Sequence, residues 1–177
     1  MKSGMTREEL ILSAYDLLCD VTPKKNDCGT LCSAACCGQN TSHGDGDCGM
    51  LLLPGEWELI CGAPGFEKKN CGDGELLLCD GKCIRSLRPF ACRIFPFYPH
   101  IEKRGERYDI KILPDPRSSR ICPIYSDFRS RKTHVSFLRN AKKAVRVLLR
   151  DEEIAKELVS QSEMLADVER LRKAILK

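Results

Sequence analysis

Cysteine is concentrated in two groups in this sequence. The first lies within the run CGTLCSAACC and contains Cys28, Cys32, Cys36 and Cys37. The second contains Cys79, Cys83 and Cys92, with Cys122 further along the chain. Structural zinc commonly takes cysteines two to four residues apart from two distant segments, because one short loop presents two thiolates to one tetrahedral ion. The spacings within both groups therefore predict a metal site and leave the metal open.

The adjacent pair Cys36-Cys37 restricts how the ligands are shared. Neighbouring side chains point apart, so we expect at most one of the two to bind any single ion. The pair suits two irons of a cluster, two separate sites, or one site and the core. Cys19, in contrast, falls on an apolar helical pattern, which predicts a small buried side chain with no role as a ligand.

The cysteine motifs also resemble a known family. CGTLCSAACC, GMLLLPGEWELI and CDGKCIRSLRPFACRIFPFYPHI, followed by Cys122-Pro123, are similar in type and order to the YkgJ family of cysteine-cluster proteins, a zinc- or iron-chelating domain. The same signature occurs in the flagellin lysine methylase. The resemblance covers residues 28–125 and implies a metal centre with a defined set of ligands. These are Cys28, Cys32, Cys36, Cys37, Cys79, Cys83, Cys92 and Cys122.

Two features depart from the family's pattern. The steps from Cys28 to Cys32 and from Cys32 to Cys36 each skip three residues, where many members skip two. Three further thiols have no counterpart in the pattern, and they are either bystanders or a second site. They are Cys48, Cys61 and Cys71.

Composition bears on the compartment and on the disulfide alternative. At 177 residues, the chain is long enough to form a hydrophobic core without crosslinks. Its first residues, MKSGMTREELILSAYDLLCD, are acidic and amphipathic, unlike a secretory signal, which predicts a cytoplasmic protein. No apolar stretch approaches the ~20 residues of a membrane helix, so we expect no membrane span. Thiols stay reduced in the cytoplasm, which favours metal binding, with disulfides as the structural alternative.

The pattern along the chain predicts a small α+β protein with a single domain, 1–177. A capping box at Thr6 and Glu9 begins a helix over 6–20. Residues 28–125 form a cysteine-rich, loop-dominated metal-binding centre with one hairpin over 97–113, and 126–177 form C-terminal helices in which Asp151 caps the last one. Two apolar stripes define those helices. They are Val135, Leu138, Ala141, Val145 and Leu148, then Ile154, Leu158, Leu165, Val168 and Leu171.

Positive charge is concentrated near the second cysteine group. Between Lys82 and Arg150 there are 18 Lys or Arg against 5 Asp or Glu, a balance of 18 − 5 = +13 in a chain of net charge +4. A thiolate-bound centre is anionic, so Arg85, Arg88 and Arg93 are candidates to donate hydrogen bonds to it. The remaining basic residues predict either a solvated helix face or a surface for nucleic-acid phosphates.

The sequence therefore predicts a metal-binding protein whose cysteines hold an iron–sulfur cluster or zinc. The double cysteine and the resemblance to the methylase favour the cluster. An enzyme that transfers methyl groups from S-adenosylmethionine to lysine is one alternative, although no nucleotide-binding loop or catalytic residue is identified. A metal-stabilised nucleic-acid-binding module is the other. A protein partner is left open by the sequence.

Overall fold

The structure is a computed structural model of the chain, and it describes residues 4–24, 31–33, 35–37, 49–72, 74–79, 84–129 and 133–175. Within these residues the chain is a small α+β domain with two antiparallel sheets. The helices are α1 (Arg7–Leu17), α2 (Glu56–Ile60), α3 (Phe90–Ile94), α4 (Tyr125–Arg129), α5 (Val135–Leu148) and α6 (Glu152–Ile175). The strands are β1 (Met50–Leu51), β2 (Phe66–Cys71), β3 (Gly74–Cys79), β4 (Phe97–Arg104) and β5 (Arg107–Pro114).

Helix α1 begins at the predicted capping box. The Glu9 backbone N–H donates to the Thr6 hydroxyl at 3.2 Å, and the Thr6 N–H donates to the Glu9 carboxylate at 2.8 Å. These bonds satisfy two of the amide groups that an α-helix leaves unpaired at its first turn. Leu10, Ile11 and Ala14 are then buried on one face. The local sequence signal therefore predicted the start of α1, while the helix ends at Leu17, before the expected residue 20.

Helix α6 begins at its predicted cap as well. The Asp151 carboxylate accepts hydrogen bonds from the backbone N–H groups of Glu153 at 3.1 Å and Ile154 at 3.0 Å. Arg7 of α1 donates to the other oxygen of Asp151 at 2.9 Å. This carboxylate therefore joins the first helix of the domain to the start of the last one.

The β4–β5 hairpin agrees with the prediction over 97–113. The strands pair antiparallel from Phe97 opposite Pro114 to Arg104 opposite Arg107, and Gly105 takes a φ of +61° in the turn between them. That φ lies in the left-handed region, which glycine adopts without steric cost. Ile101 and Ile110 face each other across the strands and are both buried in the main core.

The main core lies between the hairpin and the long helices. We refer to α1, α5, α6 and the β4–β5 hairpin as the helical frame. Its most deeply buried side chains include Phe137, Leu148 and Ile154, each 0% exposed. The two predicted C-terminal stripes are correct in part, because Val135, Val168 and Leu171 are exposed instead of buried.

A second sheet, which the sequence did not predict, contains β1, β3 and β2 in that order. Met50 of β1 pairs with Leu77 of β3, and Phe66 of β2 pairs with Cys79 of β3. We call these three strands together with α2 the small sheet. Its own core cluster is separate from the main core and contains Leu52, Ile60, Phe66 and Leu77. Within the region predicted as loop-dominated, 28–125, regular structure is thus more extensive than expected.

Candidate functional site

Not every predicted ligand lies within the described part of the chain. Cys28 and Cys83 are outside the described residues, as are Cys48 and the side chain of Cys37. The predicted ligands whose side chains can be placed are Cys32, Cys36, Cys79, Cys92 and Cys122. Among the described residues, no group of three or more His, Cys, Asp or Glu side chains is arranged to hold a metal ion.

Two of the predicted ligands, Cys32 and Cys122, interact electrostatically although they are far apart in the sequence. Cys122 is buried, at 9% exposed, and follows a 3₁₀ turn at Pro116–Arg120. Burial raises the pKa of its thiol; the negative charge of Cys32 adds to the rise, while the Ile124 N–H and Lys24 oppose it. Cys32 therefore lies within the range at which its negative charge disfavours ionisation of Cys122.

Lys24 supplies a positive charge at this place. Its ammonium lowers the pKa of Cys122, and it also pairs with Asp127 of α4 at 2.9 Å. Lys24 carries no signal in the sequence, because nothing in the Lys24-Lys25-Asn26-Asp27 run distinguishes one solvated lysine from the next. Only the fold brings it near Cys122.

An open cleft of about 310 Å³ lies beside Cys122. Its lining is polar on one side, with Ser119, Arg120 and Ser126, and includes Cys122 itself and Tyr125. Arg172 of α6 donates to the Tyr125 hydroxyl at 3.0 Å, which fixes that ring at the edge of the cleft. The cleft gives the buried thiol a route to solvent.

Cys92 occupies a different environment in helix α3. It is half-buried, and its charge contributes to the raised pKa of Tyr15 on α1, so the two side chains are neighbours. Burial is the main cause of that rise, and the negative charge of Glu56 is the next. Cys92 therefore lies beside a buried polar network.

The centre of this network is Glu56, which is fully buried. Its carboxylate accepts hydrogen bonds from the Tyr15 hydroxyl at 2.6 Å, the Leu53 N–H at 2.8 Å and the Phe90 N–H at 2.5 Å. Burial raises the pKa of Glu56, and the three donors and Arg93 act against that rise. Sequence reasoning missed this residue, because a glutamate in the first turn of a short helix ordinarily faces solvent.

Arg93 lies over the network. Its guanidinium carbon is 4.0 Å from the centre of the Tyr15 ring, a cation–π distance. It donates to the backbone carbonyls of Arg88 and Ser86, both at 2.7 Å, and burial lowers its pKa. Arg93 thereby holds the segment before α3, which carries Ser86 and Arg88.

Arg85 plays a similar part on the other side of this loop. It donates to the carbonyl oxygens of Cys19 at 3.1 Å and Val21 at 3.0 Å, tying the loop to the chain that follows α1. The hydrogen bonds seen for Arg85 and Arg93 thus go to backbone carbonyls. Donation from Arg85, Arg88 and Arg93 to thiolates stays a prediction.

The other thiols are dispersed over the described surface. Cys61 and Cys71 are exposed, at the end of α2 and of β2. Cys19 was predicted to be buried, and this was wrong: it is exposed and donates to Asp20 at 3.2 Å. The reason is that α1 ends at Leu17, so Cys19 falls in the turn beyond the helix and no longer follows its apolar face.

The predicted basic surface is visible on α5. Arg139, Lys143 and Arg146 are all exposed, as is Arg150 just after the helix, while Phe137, Ala141 and Val145 face the core. A solvated face of an amphipathic helix explains this arrangement without a ligand. Nucleic-acid binding stays a prediction. Among the described residues, no helix has the length and apolar character needed to cross a bilayer.

Comparison with known proteins adds no relative. No family model, no curated protein and no solved structure matches this chain.

Proposed function

We propose that the protein binds a metal centre through cysteine thiolates contributed by two distant segments. The observation that carries the proposal is the electrostatic interaction between Cys32, in the first cysteine group, and the buried Cys122, which lines an open cleft. The proposed ligands are Cys28, Cys32, Cys36 or Cys37, Cys79, Cys83, Cys92 and Cys122.

The chemistry of these thiols is suited to a cation. A buried thiol with a raised pKa is mostly protonated and is a poor ligand until a metal replaces the proton, so binding releases protons and depends on pH. Two thiolates repel each other when no cation lies between them and attract one that does. The packing of Cys122 against the main core also fixes its position before a metal arrives.

The surroundings supply two further features that a thiolate centre requires. Lys24 is a positive charge near Cys122, and it offsets part of the negative charge of an all-thiolate centre. The cleft beside Cys122 provides an entry path. When bound, an iron–sulfur cluster would supply electron transfer and zinc would supply structural crosslinking; the double cysteine favours the cluster.

The test is metal analysis of protein purified without oxygen. We expect stoichiometric metal, with iron and labile sulfide for a cluster or zinc alone for the alternative. Cys32→Ser and Cys122→Ser should each lose most of the metal, with helix content measured by circular dichroism to show that the variants fold. Cys19→Ser is the matched control, since Cys19 is an exposed thiol outside the proposed set. Metal-free protein, or equal metal in all variants, would exclude the proposal.

Cys71→Ser extends the same test to the additional thiols. If Cys48, Cys61 and Cys71 are bystanders, this variant retains the metal content of the unsubstituted protein. A loss of one ion per chain, with the rest retained, would instead show that they build a second site.

A further inference from the structure

The second half of helix α6 carries an exposed apolar stripe. Met164, Val168, Leu171 and Ile175 are 45%, 37%, 65% and 82% exposed. Their spacing of four, three and four residues places them along one line of the helix surface. A single exposed apolar side chain is ordinary, but four in a row at this spacing indicate a surface that another helix covers.

Within the described residues, the packing of α6 on the domain does not use this stripe. Helix α6 packs against the hairpin through Ile154, Leu158 and Leu165, which are at most 3% exposed. The Ile101 N–H of β4 donates to the Ser162 hydroxyl at 2.7 Å, which fixes the rotation of the helix on the sheet. Successive residues of an α-helix are turned by 100° about its axis. The centre of the packed face therefore lies about 100° around that axis from the centre of the stripe. A partner helix can therefore lie on the stripe beside the domain.

The spacing and residue types match one specific occupant. In heptad notation Val168 and Ile175 fall at a, and Met164 and Leu171 fall at d. β-Branched residues at a with leucine-like residues at d favour two parallel strands over three or four. We propose that α6 pairs with α6 of a second copy of this chain in a short parallel coiled coil.

Charges beside the stripe agree with the parallel arrangement. Asp167 falls at g and Arg172 at e of the next heptad, so in a parallel pair Asp167 faces the partner's Arg172, once on each side of the two-fold axis. In the single chain Asp167 is exposed and pairs with Arg170 on the same helix, so the partner's Arg172 would share this carboxylate with Arg170. In an antiparallel pair that keeps the same four apolar side chains in contact, Asp167 would face the partner's Ala174. No ion pair would form there. The charge pattern therefore selects the parallel orientation.

The pairing of Arg172 also connects this surface with the domain. In the single chain Arg172 contacts Tyr125, both through the hydroxyl and with its guanidinium carbon 5.5 Å from the ring centre. That contact holds the arginine at the edge of the stripe, where it can donate to the partner's Asp167 with its remaining N–H groups. With only two heptads exposed, the interface is small, so the dimer dissociates on dilution.

Sedimentation equilibrium of the full chain under reducing conditions, at roughly 5 to 500 µM, tests the proposal. We expect a reversible monomer–dimer equilibrium. Leu171→Gln should raise the dissociation constant at least tenfold, since a core d position loses its apolar contact. Val135→Gln is the matched control, because Val135 is 66% exposed against 65% for Leu171 and lies on another helix. A monomer at every concentration, or a dimer that Leu171→Gln does not weaken, would overturn the proposal.

Charge exchange tests the orientation separately. Asp167→Arg should weaken the dimer by placing two arginines opposite each other, and Asp167→Arg combined with Arg172→Asp should restore it. A dimer that Asp167→Arg leaves unchanged would be incompatible with the parallel pairing. The proposal is independent of the metal centre, since none of the proposed ligands lies on α6.

Discussion

The helical frame and the small sheet are held together in different ways. The frame buries Phe137, Leu148 and Ile154 completely, among many other apolar side chains. The core cluster of the small sheet is far smaller, and of the six residues of β2 only Phe66 is buried. Because hydrophobic stabilisation scales with buried apolar area, the frame should be stable by itself while the small sheet depends on what it is attached to.

The small sheet is attached to the frame by apolar packing and by a polar network. Leu59 of α2 packs against both core clusters. Glu56 of α2 accepts hydrogen bonds from Tyr15 of the frame and from the Phe90 N–H at the start of α3. Cys79 lies at the end of β3, and the proposed metal centre would add a second attachment there. Cys79 on the small sheet therefore depends for its position on these few contacts, whereas Cys122 is held by the larger apolar core that the frame forms.

The largest expected effect is a truncation within the frame. Phe137→Ala should cost about 3–5 kcal/mol of unfolding free energy, because it leaves a cavity in the middle of the main core. Urea unfolding followed by far-ultraviolet circular dichroism measures this cost. Val135→Ala on the same helix is the control and should change stability by less than about 0.5 kcal/mol, since Val135 is exposed.

The same truncation in the small sheet sharpens the comparison. Phe66→Ala removes an equally large side chain that is 8% exposed, but from the smaller cluster. We expect it to leave the midpoint of the helical transition nearly unchanged and to expose the small sheet locally. Equal losses of helical stability for Phe66→Ala and Phe137→Ala would show that the two regions unfold as one unit.

The next largest loss of stability is expected from removing Glu56, which connects the small sheet to the frame. Glu56→Ala should cost roughly 2–4 kcal/mol, because it leaves the Tyr15 hydroxyl and the Leu53 and Phe90 N–H groups buried without their acceptor. Glu58→Ala is the matched control, as Glu58 lies on the same helix and is exposed. Thermal unfolding of the two variants measures the difference. If Glu56→Ala were as mild as Glu58→Ala, the carboxylate would not be the link between frame and small sheet.

Features with local signals were predictable from the sequence, and features set by tertiary contacts were not. The capping box at Thr6 and the hairpin over 97–113 depend on residues close in sequence. Strand β2, with the sequence FEKKNC, shows no apolar alternation because it is an edge strand with five exposed residues. Such a strand is defined by its pairing with β3, which no local pattern reveals.

Helical periodicity identified the C-terminal helices but not the side that packs. In α5 the main core takes Phe137, while Val135 at the start of the helix faces solvent. In α6 the apolar residues cover more than one face, and the fold uses only the one that contains Leu158 and Leu165. Helical periodicity indicates that a helix has an apolar face. Whether another element of the same chain covers that face depends on the tertiary arrangement.

For the candidate site, the pairs of thiols expected from spacing, Cys28 with Cys32 and Cys79 with Cys83, stay a prediction, because Cys28 and Cys83 lie outside the described residues. Within the described chain, Cys32 contributes to the raised pKa of Cys122. The burial of Glu56 and the position of Lys24 had no signal in the sequence. A charged residue is ordinarily exposed, and its neighbours in the fold cannot be read from the residues next to it in the chain. The convergence of the full ligand set stays a prediction.

The smallest predicted effect concerns the cap that joins α1 to α6 within the frame. Asp151→Ala should cost about 0.5–2 kcal/mol at neutral pH, the usual range for an N-cap carboxylate. Burial alone would raise the pKa of Asp151, but the hydrogen bond from Arg7 and the N–H groups of Ile154 and Glu153 together hold it below its ordinary value. Glu163→Ala, an exposed change on the same helix, is the control.

The sign of the pH dependence follows from that lowered pKa. A carboxylate whose pKa is lower in the folded than in the unfolded chain stabilises the fold at every pH above its ordinary value of about 3.9. As the pH falls below that value and through the folded pKa, the carboxylate takes up its proton and the contribution is lost. The difference in stability between the unsubstituted protein and Asp151→Ala should therefore be constant from pH 7 to 5 and shrink below pH 4. A difference that grows on acidification would mean that Asp151 is protonated more readily in the folded chain, and that the bonds from Arg7 and the helix N-terminus do not stabilise its charge.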